Sequence, residues 1–361
     1  MGYRIILAVP VICSLIYVAL SSGHARAESF SFVALGDTAY NVPEDYPAYQ
    51  ALIERINLAK PAFSIHVGDT WGILDCSDAE HERIHDFFQE YDHPVIYTPG
   101  DNEWIDCLVP DAVPRARRIV SGTATKEDIA VLTDARSLDG AYERRVWLGG
   151  QQSLTTIRRI FFSTRQSLGQ ETIDLTRQAD VSNFNEMVEN ALWEHGNVLF
   201  GTVHVPGSGN NFFINSQEHA MEAIARNRAN VEWLKHIFAE AKSKGSKAVV
   251  IALHASLFGD GAGGDFSGQA IRGGETGPFY WIALAIRDLG AEFDRPVLLV
   301  NGDFHEFVVD RPFLVSAGEG APPRYANITR LQVYGAPEIK AVKVTVDIDT
   351  PWVFSFSPLY N

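Results

Sequence analysis

The sequence has few cysteines and few basic residues, and each shortage excludes something. Three cysteines occur in 361 residues, and none lies in the Cys-x-x-Cys spacing that structural zinc sites use. Lysine and arginine number 30 against 45 aspartates and glutamates, which gives a formal net charge of −15. This balance argues against a protein that coats nucleic acid, because phosphate backbones are bound by basic patches. A small phosphate-ester substrate remains open, since bound metal ions would reverse the sign of the local charge.

Beyond its N-terminal region the sequence also lacks an apolar run long enough to span a membrane. A basic start, an apolar run from Ile5 to Leu20 and the Ala25-Arg26-Ala27 site are typical of a signal peptide. The alternative, a membrane anchor, is disfavoured because the run is shorter than the roughly 20 residues of a spanning helix. We therefore expect residues 1–27 to be cleaved, leaving no stable membrane anchor. The mature chain, 28–361, is expected to be a single domain that is secreted or periplasmic.

No phosphate-binding P-loop is present, since the Gly-rich stretch Gly259–Gly277 is not followed by Gly-Lys-Ser/Thr. The sequence contains instead a recurrent Gly-Asp pair behind short apolar runs. A strand that ends in Gly-Asp places a carboxylate at the carboxyl end of a sheet, where open α/β folds bind ligands. The strand ends carrying such groups are Gly36-Asp37, Gly68-Asp69, Gly100-Asp101-Asn102-Glu103, Gly302-Asp303-Phe304-His305, and a further apolar run that ends in His254. Together these residue types are those that a dinuclear metal site needs.

The order of the elements indicates an α/β protein. Strands alternate with helices expected over 44–59, 79–91, 217–244 and 278–289, which implies parallel strands with right-handed crossovers. Residues 104–196 contain several arginine pairs and are interpreted as a mostly helical insertion or lid, although each arginine alone is more typical of a solvated surface. Period-two alternation between Thr329 and Phe356 predicts antiparallel strands that complete a second sheet.

These strand-end blocks resemble the calcineurin-like metallophosphoesterases, whose blocks read D-x-H, G-D, G-N-H, H and G-H-x-H. The sequence around Gly100-Asp101-Asn102-Glu103 is similar to that of a secreted branch of the superfamily. The chain also resembles, more distantly, the purple acid phosphatases. The resemblance implies a fold of two mixed β-sheets packed face to face with helices outside. It also implies two divalent metal ions, with Asp37 on the first and Asp69 bridging both. Asn102 and His254 would bind the second, and Asp303 and His305 would fill the final block, with His305 on the first metal.

Several positions depart from the family pattern. Ala39 stands where the histidine of D-x-H is expected, Glu103 follows Asn102 where the catalytic histidine is expected, and Asp303 replaces the first histidine of the last block. Tyr40 lies beside Ala39 and is a further candidate ligand. Because the set has more carboxylates and fewer imidazoles, it favours Mn, Mg or Fe over Zn.

The chemistry expected of such a site is phosphate-ester hydrolysis. Two cations about 3.5–4 Å apart can clamp a phosphoryl group and make a hydroxide from a bridging water. A general acid would protonate the leaving alkoxide, and the candidates are Glu103 and His204. The alternatives are a bracing role for Glu103 and a satisfied strand histidine for His204. Asn210 and Asn211 are candidate donors to the phosphate oxygens.

Two cysteines remain in the mature chain, Cys76 and Cys107, and each follows a Gly-Asp turn. In an exported protein such a pair most often forms a disulfide, whereas thiolate metal ligands are less favoured without Cys-x-x-Cys spacing.

Three functions stay open at the level of sequence. The first is a metal-dependent phosphoesterase acting on a phosphate mono- or diester. The second is a phosphodiesterase or nucleotidase acting on nucleotides or lipid head groups. The third, of another class, is a catalytically degenerate metal- or phosphate-binding module that lost turnover with the replaced histidines.

Overall fold

The computed structural model describes residues 28–72, 76–107, 140–212, 217–258, 274–313 and 325–360, with positions 118, 123, 125 and 126. The predicted signal peptide and most of the Gly259–Gly277 loop lie outside these residues. Within the described ranges, no helix is both long enough and apolar enough to cross a membrane.

Twelve strands and six α-helices make up the described elements. The helices are α1 (Tyr46–Ala59), α2 (Asp78–Phe88), α3 (Gly140–Phe161), α4 (Gln178–Val181), α5 (Gln217–Lys244) and α6 (Tyr280–Phe293), with 3₁₀ turns at Ser208–Asn211 and Gly274–Thr276. The strands are β1 (Phe30–Leu35), β2 (Ser64–His66), β3 (Val95–Tyr97), β4 (Thr176–Arg177), β5 (Ala191–His195), β6 (Val198–Thr202), β7 (Ala248–Ala252), β8 (Val297–Asn301), β9 (Val308–Asp310), β10 (Ile328–Gln332), β11 (Ala341–Val346) and β12 (Phe354–Leu359).

The strands form two mixed sheets. The five-stranded sheet has the order β12-β11-β1-β2-β3, in which β1, β2 and β3 are parallel. The seven-stranded sheet has the order β4-β5-β6-β7-β8-β10-β9, in which β6, β7, β8 and β10 are parallel. One apolar cluster joins the two sheets face to face: Phe32, Ile65 and Ile96 of the first lie with Phe200, Val250 and Leu298 of the second. The fold class expected from the sequence is confirmed.

Helices cover the outer face of each sheet. On the first sheet, α1 buries Tyr49, Leu52, Ile53 and Ile56, which recur at helical spacing. The next helix, α2, begins at Ser77, whose hydroxyl accepts a hydrogen bond from the backbone N–H of Glu80. On the second sheet, α5 packs Trp233 and Ile237 into the cluster that contains Val249 and Leu299. The range predicted for α5 agrees with the structure.

One expectation about the organisation is corrected. The C-terminal alternation does produce antiparallel strands, but β11 and β12 pair with β1 in the first sheet, and β10 pairs in parallel with β8 in the second. The described part of 104–196 contains the helices α3 and α4, as well as two strands. After α3 it supplies β4 and β5, which form one edge of the seven-stranded sheet. Alternation identifies a strand but not its partner, because pairing depends on contacts distant in sequence.

Candidate metal centre

Three neighbouring parallel strands of the first sheet each end in an aspartate. Asp37 follows β1, Asp69 follows β2 and Asp101 follows β3, and all three side chains are buried. Because parallel strands end at the same edge of a sheet, the three carboxylates converge there. The backbone N–H groups of Asp101 and Asn102 both donate to Asp69 Oδ1 at 3.1 Å, which holds two of the turns together.

The second sheet brings two histidines and one aspartate to the same place. His254 follows β7, and Asp303 and His305 follow β8. His254 Nε2 lies 2.8 Å from Asp101 Oδ1 and 3.5 Å from Asp69 Oδ1. Ligand atoms of Asp37, Asp69 and His254 form one group within 4.8 Å of one another, and those of Asp101, His254 and Asp303 form another. His305 Nε2 lies 3.6 Å from Asp37 Oδ1, at the more open side of the centre.

The hydrogen-bonding pattern leaves buried acceptors aimed into the centre. His254 Nδ1 lies 2.8 Å from the carbonyl oxygen of Val67, so the Nδ1–H donates there and, in the neutral ring, Nε2 keeps its lone pair. Asp37 Oδ2 is buried without a hydrogen-bond partner, and His254 Nε2 faces Asp101 Oδ1 at 2.8 Å, where only a protonated Nε2 can make a hydrogen bond. A buried lone pair facing carboxylate oxygens needs a proton or a cation, since acceptors alone repel one another. The donor set therefore fits a divalent cation.

The acid–base properties of the centre follow from its crowding. Burial, with the nearby Asp303 and Asp101, raises the pKa of Asp37 to about 7. Burial likewise raises the pKa of Asp69 well above its ordinary value. The pKa of His254 is raised well above its ordinary range, because Asp69, Asp101 and Asp37 outweigh the opposing effect of burial. A proton on His254 and a cation in the centre would therefore compete, because both are stabilised by the same carboxylates, Asp37, Asp69 and Asp101.

The backbone at these positions is unusual. Asp37, Asp69, Asp303 and His305 have φ angles of 52, 53, 78 and 60°, in the left-handed region that side chains seldom adopt. Neighbouring glycines allow close approach: a Cβ on Gly100 would collide with Asp69 Oδ1, and one on Gly302 with Asp37 Oδ2. Strained conformations of this kind persist where the surroundings hold them, and they cluster at functional sites.

The sequence assigns a metal-binding role to Asn102, and the structure adds Asp101 to the candidates. Asn102 Nδ2 donates to the Tyr40 hydroxyl and to the Trp71 carbonyl oxygen, each at 2.9 Å, so Asn102 lies beside the hydroxyl that binds Asp69. The assignment of Asn102, which follows the asparagine of G-N-H, stays a prediction. The signal that identifies Asp101 was present, because Gly100-Asp101 repeats the Gly-Asp pair of the other strand ends.

Tyr40 lies at the centre of a small hydrogen-bonding group. Its hydroxyl donates to Asp69 Oδ2 at 2.5 Å and lies 3.1 Å from His305 Nε2. Burial and the neighbouring Asp69 and Asp37 raise the pKa of Tyr40 far above its ordinary value. In the protein alone it is therefore a neutral phenol that orients the Asp69 carboxylate.

Glu103 is buried and fully engaged. One carboxylate oxygen accepts from the Thr70 N–H at 2.9 Å and the Thr70 hydroxyl at 3.2 Å, and the other accepts from the Gly100 N–H at 3.0 Å. These contacts tie the Asp69 turn to the Asp101 turn. The geometry matches the bracing alternative rather than a general acid that reaches a substrate.

His204 and the two asparagines are also placed away from the carboxylates. His204 is fully buried near the ring of Trp104, and burial with the nearby Arg226 and Arg158 lowers its pKa well below the ordinary value. It is therefore neutral at ordinary pH and lacks the acidic imidazolium proton that a general acid would give. Asn210 binds Asn227, Arg226 and the Pro278 carbonyl, and Asn211 binds Glu222 and His219. Both asparagine side chains thus face α5 and its neighbours.

The predicted disulfide is present. Cys76 and Cys107 are bonded, with their Cα atoms 5.6 Å apart. The bond joins the loop behind Asp69 to the turn behind Asp101, so it spans two of the converging carboxylate segments.

Comparison with known proteins gives distant likenesses only. No protein-family model and no curated protein matches the chain. Among solved structures, a dimetal phosphatase from Danio rerio is 10% identical, with a TM-score of 0.44, and 88% of this chain and 95% of that chain are covered. PhoD is 10% identical with a TM-score of 0.45, covering 92% of this chain and 69% of that one. GAP50, the anchor in the inner membrane complex of Plasmodium, is 8% identical with a TM-score of 0.43, covering 92% and 89%.

At such low identities and TM-scores these likenesses assign no activity to this chain. The structure of the chain itself agrees with the fold that the sequence resemblance implied. Two face-to-face mixed sheets, helices outside, and aspartates and histidines at the strand ends of both sheets reproduce the arrangement of the metallophosphoesterase type that the sequence indicated.

Proposed function

We propose that the protein is a metal-dependent hydrolase of phosphate esters. The observation that carries the proposal is the convergence of buried acceptors from five strand ends of two sheets, with His254 Nε2 and Asp37 Oδ2 lacking any donor. Such an arrangement is costly unless a cation completes it, because buried negative charge without a partner is strongly unfavourable.

In this proposal two adjacent cation positions share Asp69. Asp37, Asp69 and His305 would hold one ion, and Tyr40 is the candidate fourth group there. Asp69, Asp101, His254 and Asp303 would hold the other. The second set contains three carboxylates and one imidazole. This oxygen-rich composition favours Mn, Mg or Fe over Zn.

When bound, such cations supply Lewis acidity to a phosphoryl group and lower the pKa of water enough to make hydroxide near neutral pH. The chain's own groups fix the geometry. Val67 fixes the tautomer of His254, while Tyr40 and the N–H groups of Asp101 and Asn102 orient Asp69. Glu103 keeps the two carboxylate turns in register. Pre-set ligands of this kind raise affinity and leave less reorganisation for the reaction.

A second candidate, a binding module with little or no turnover, has one specific observation in its favour. The two candidates for general acid from the sequence, Glu103 and His204, are both buried, and both Glu103 carboxylate oxygens accept backbone hydrogen bonds. Protonation of the leaving group would then fall to water, which favours esters whose leaving group is already a weak base. Substrates with an aryl or phosphoanhydride leaving group would suffer least from this lack.

An exported location belongs to the same proposal. The Cys76–Cys107 disulfide supports an oxidising compartment, since such bonds persist outside the reducing cytosol.

The test is hydrolysis of an aryl phosphate monoester and diester by mature protein that is stripped of metal and resupplied with Mn²⁺. Asp69→Asn is the matched negative variant. Turnover that returns with metal in the wild type but not in the variant establishes the enzyme. Bound metal without turnover on either ester would select the binding module instead. No metal binding by the wild type would reject both.

A further inference from the structure

We propose that Arg226, on the distant helix α5, is the positioning residue for the Asp101 carboxylate and acts through the turn Gly207–Asn211. The inference deepens the metal centre proposed above and rests on it. It assigns a role to a buried charge that neither the metal centre nor the core explains.

The turn has an unusual backbone. Ser208, Gly209, Asn210 and Asn211 follow one another with φ angles of 40, 64, 55 and 58°. Asparagine and glycine tolerate this region, but a run of four such residues is uncommon. The turn makes hydrogen bonds of its own, from the Asn210 N–H to Gly207 O and from the Phe212 N–H to Gly209 O. Conformations of this kind persist where contacts from the surroundings add to such bonds.

The near end of this turn touches the metal centre. The Gly207 N–H donates to Asp101 Oδ1 at 3.0 Å, and the Ser208 hydroxyl donates to Asp106 Oδ2 at 2.5 Å. A Cβ on Gly207 would lie 2.5 Å from Asp101 Oδ1 and 2.7 Å from Asp303 Oδ1. The turn thus packs directly on two carboxylates of the second cation position, with an N–H that selects one orientation of Asp101.

The far end of the turn is held by Arg226. The Arg226 side chain is almost completely buried, and its Nη1 and Nη2 donate to Asn210 Oδ1 at 2.5 Å and Asn210 O at 3.0 Å. Its Nε donates to Glu222 Oε1 at 2.7 Å, which balances the buried charge. A planar guanidinium can make these contacts at once, whereas an ammonium cannot.

Arg226 also reaches the segment that carries Asp101. The guanidinium carbon lies 5.5 Å from the ring centre of Trp104, and the Trp104 N–H donates to the Asp101 carbonyl oxygen at 3.1 Å. Arg226 therefore contacts both the segment that bears Asp101 and the turn that binds its carboxylate. Removing its planar fork would free the two together, so the Asp101 carboxylate would lose its fixed orientation.

The experiment compares Arg226→Lys with Arg228→Lys, which changes an exposed arginine of the same helix. Mn²⁺ affinity is measured by calorimetry on the full mature chain, and hydrogen exchange is measured on metal-free protein. We expect Arg226→Lys to weaken Mn²⁺ binding about 10–100-fold, the range typical of groups that orient metal ligands. Amide exchange over 204–212 and 100–107 should also speed up at least about tenfold in Arg226→Lys and not in Arg228→Lys.

The two readouts separate the inference from the proposed function. A wild type that binds no Mn²⁺ would reject the metal centre, whereas the exchange data would still decide whether Arg226 holds the turn. Unchanged exchange and unchanged affinity in Arg226→Lys would overturn the inference while leaving the metal centre intact. If Arg226→Lys does not fold, Asn210→Gly decides, because glycine accepts the left-handed conformation and loses only the side-chain contacts to Arg226, Asn227 and the Pro278 carbonyl. About tenfold weaker binding would support the inference, and wild-type affinity would overturn it.

Discussion

The two sheets contribute different chemistry to one centre. The five-stranded sheet supplies three aspartates from adjacent strand ends, Asp37, Asp69 and Asp101, and among the described residues its ends add no histidine to the two ligand groups. The seven-stranded sheet supplies His254, Asp303 and His305. Neither half is a complete site, because cation binding needs ligands on more than one side. The site therefore forms only when the sheets dock.

Hydrogen bonds that cross between the sheets support this view. His254 Nδ1 binds the Val67 carbonyl, the Asp303 N–H donates to Asp37 Oδ1 at 3.0 Å, and the Gly207 N–H donates to Asp101. Each joins a group of one sheet to a group of the other. The anionic half is thus neutralised in part by the opposite half, and a bound cation would complete that neutralisation.

The largest effect is expected from a change of Asp69, the carboxylate proposed to be shared by two cations. Asp69→Asn removes a charge from both positions, so metal affinity and metal-dependent turnover should each fall more than about 100-fold, beyond the range seen for outer groups. Metal content after dialysis and the rate on an aryl phosphate measure this. Asp86→Asn on the surface of α2 is the control, and wild-type metal content in Asp69→Asn would contradict the shared position.

Reduction of the disulfide should weaken the anionic half selectively. The bond closes a loop with a sequence separation of 31, so its loss should lower the free energy of unfolding by about 3–4 kcal/mol. Urea unfolding of Cys76→Ser/Cys107→Ser against the wild type measures it. Hydrogen exchange should rise around Asp69 and Asp101 and stay unchanged in β7 and β8. An equal rise in both sheets would mean that the bond stabilises the whole molecule rather than one half.

Substitution of the glycines beside the carboxylates tests whether metal binding needs the close contact between these glycines and the carboxylates. Gly100→Ala and Gly302→Ala each place a Cβ against a ligand carboxylate, so each should cost about 1–3 kcal/mol of unfolding free energy and weaken metal binding. Gly149→Ala, where the added Cβ meets nothing within 4 Å, is the control. It should stabilise its helix by up to about 1 kcal/mol. Unaltered metal affinity in both site variants would remove the argument from close approach.

The smallest expected effect is the dependence of stability on pH that comes from His81, on helix α2 of the first sheet. Burial lowers the pKa of His81 to about 4, and its Nε2 lies 2.8 Å from the Ser153 hydroxyl. The unfolded chain binds a proton at this residue below about pH 6.5, whereas the folded chain resists it until about pH 4. Stability should therefore fall as pH drops through this window, by about 1–2 kcal/mol at pH 5.

His81→Gln is the variant that checks this effect, because an amide can still reach Ser153 and does not titrate. Urea midpoints measured between pH 7 and pH 4.5 should show a flatter profile in the variant than in the wild type. Profiles of equal slope would show that His81 makes no contribution to the acid sensitivity.

Much of this site could be predicted from the sequence because each ligand follows a short apolar run. Such runs form strands, and parallel strands end at one edge, so Asp37, Asp69, His254 and Asp303 were placed correctly at strand ends. Asp101 was not predicted as a ligand, because the asparagine of the family motif was matched to Asn102, although Gly100-Asp101 repeats the Gly-Asp pair of the other strand ends. The surroundings of Glu103 and His204 could not be predicted. Their burial depends on Thr70, Trp104 and Arg226, which are brought there only by the packing of both sheets.

The left-handed backbone at the ligand positions restricts which amino acids could ever serve there. Outside glycine, asparagine, aspartate and histidine are the residues enriched in this conformation. Asp37, Asp69, Asp303 and His305 all have it, so the shape of the chain and the demand for ligands point to the same few residue types. Glutamate, an equally good ligand by charge, is not among these residue types. A search for further proteins of this kind should therefore allow only aspartate, asparagine, histidine or glycine at these positions. The residues of the preceding strands can vary freely.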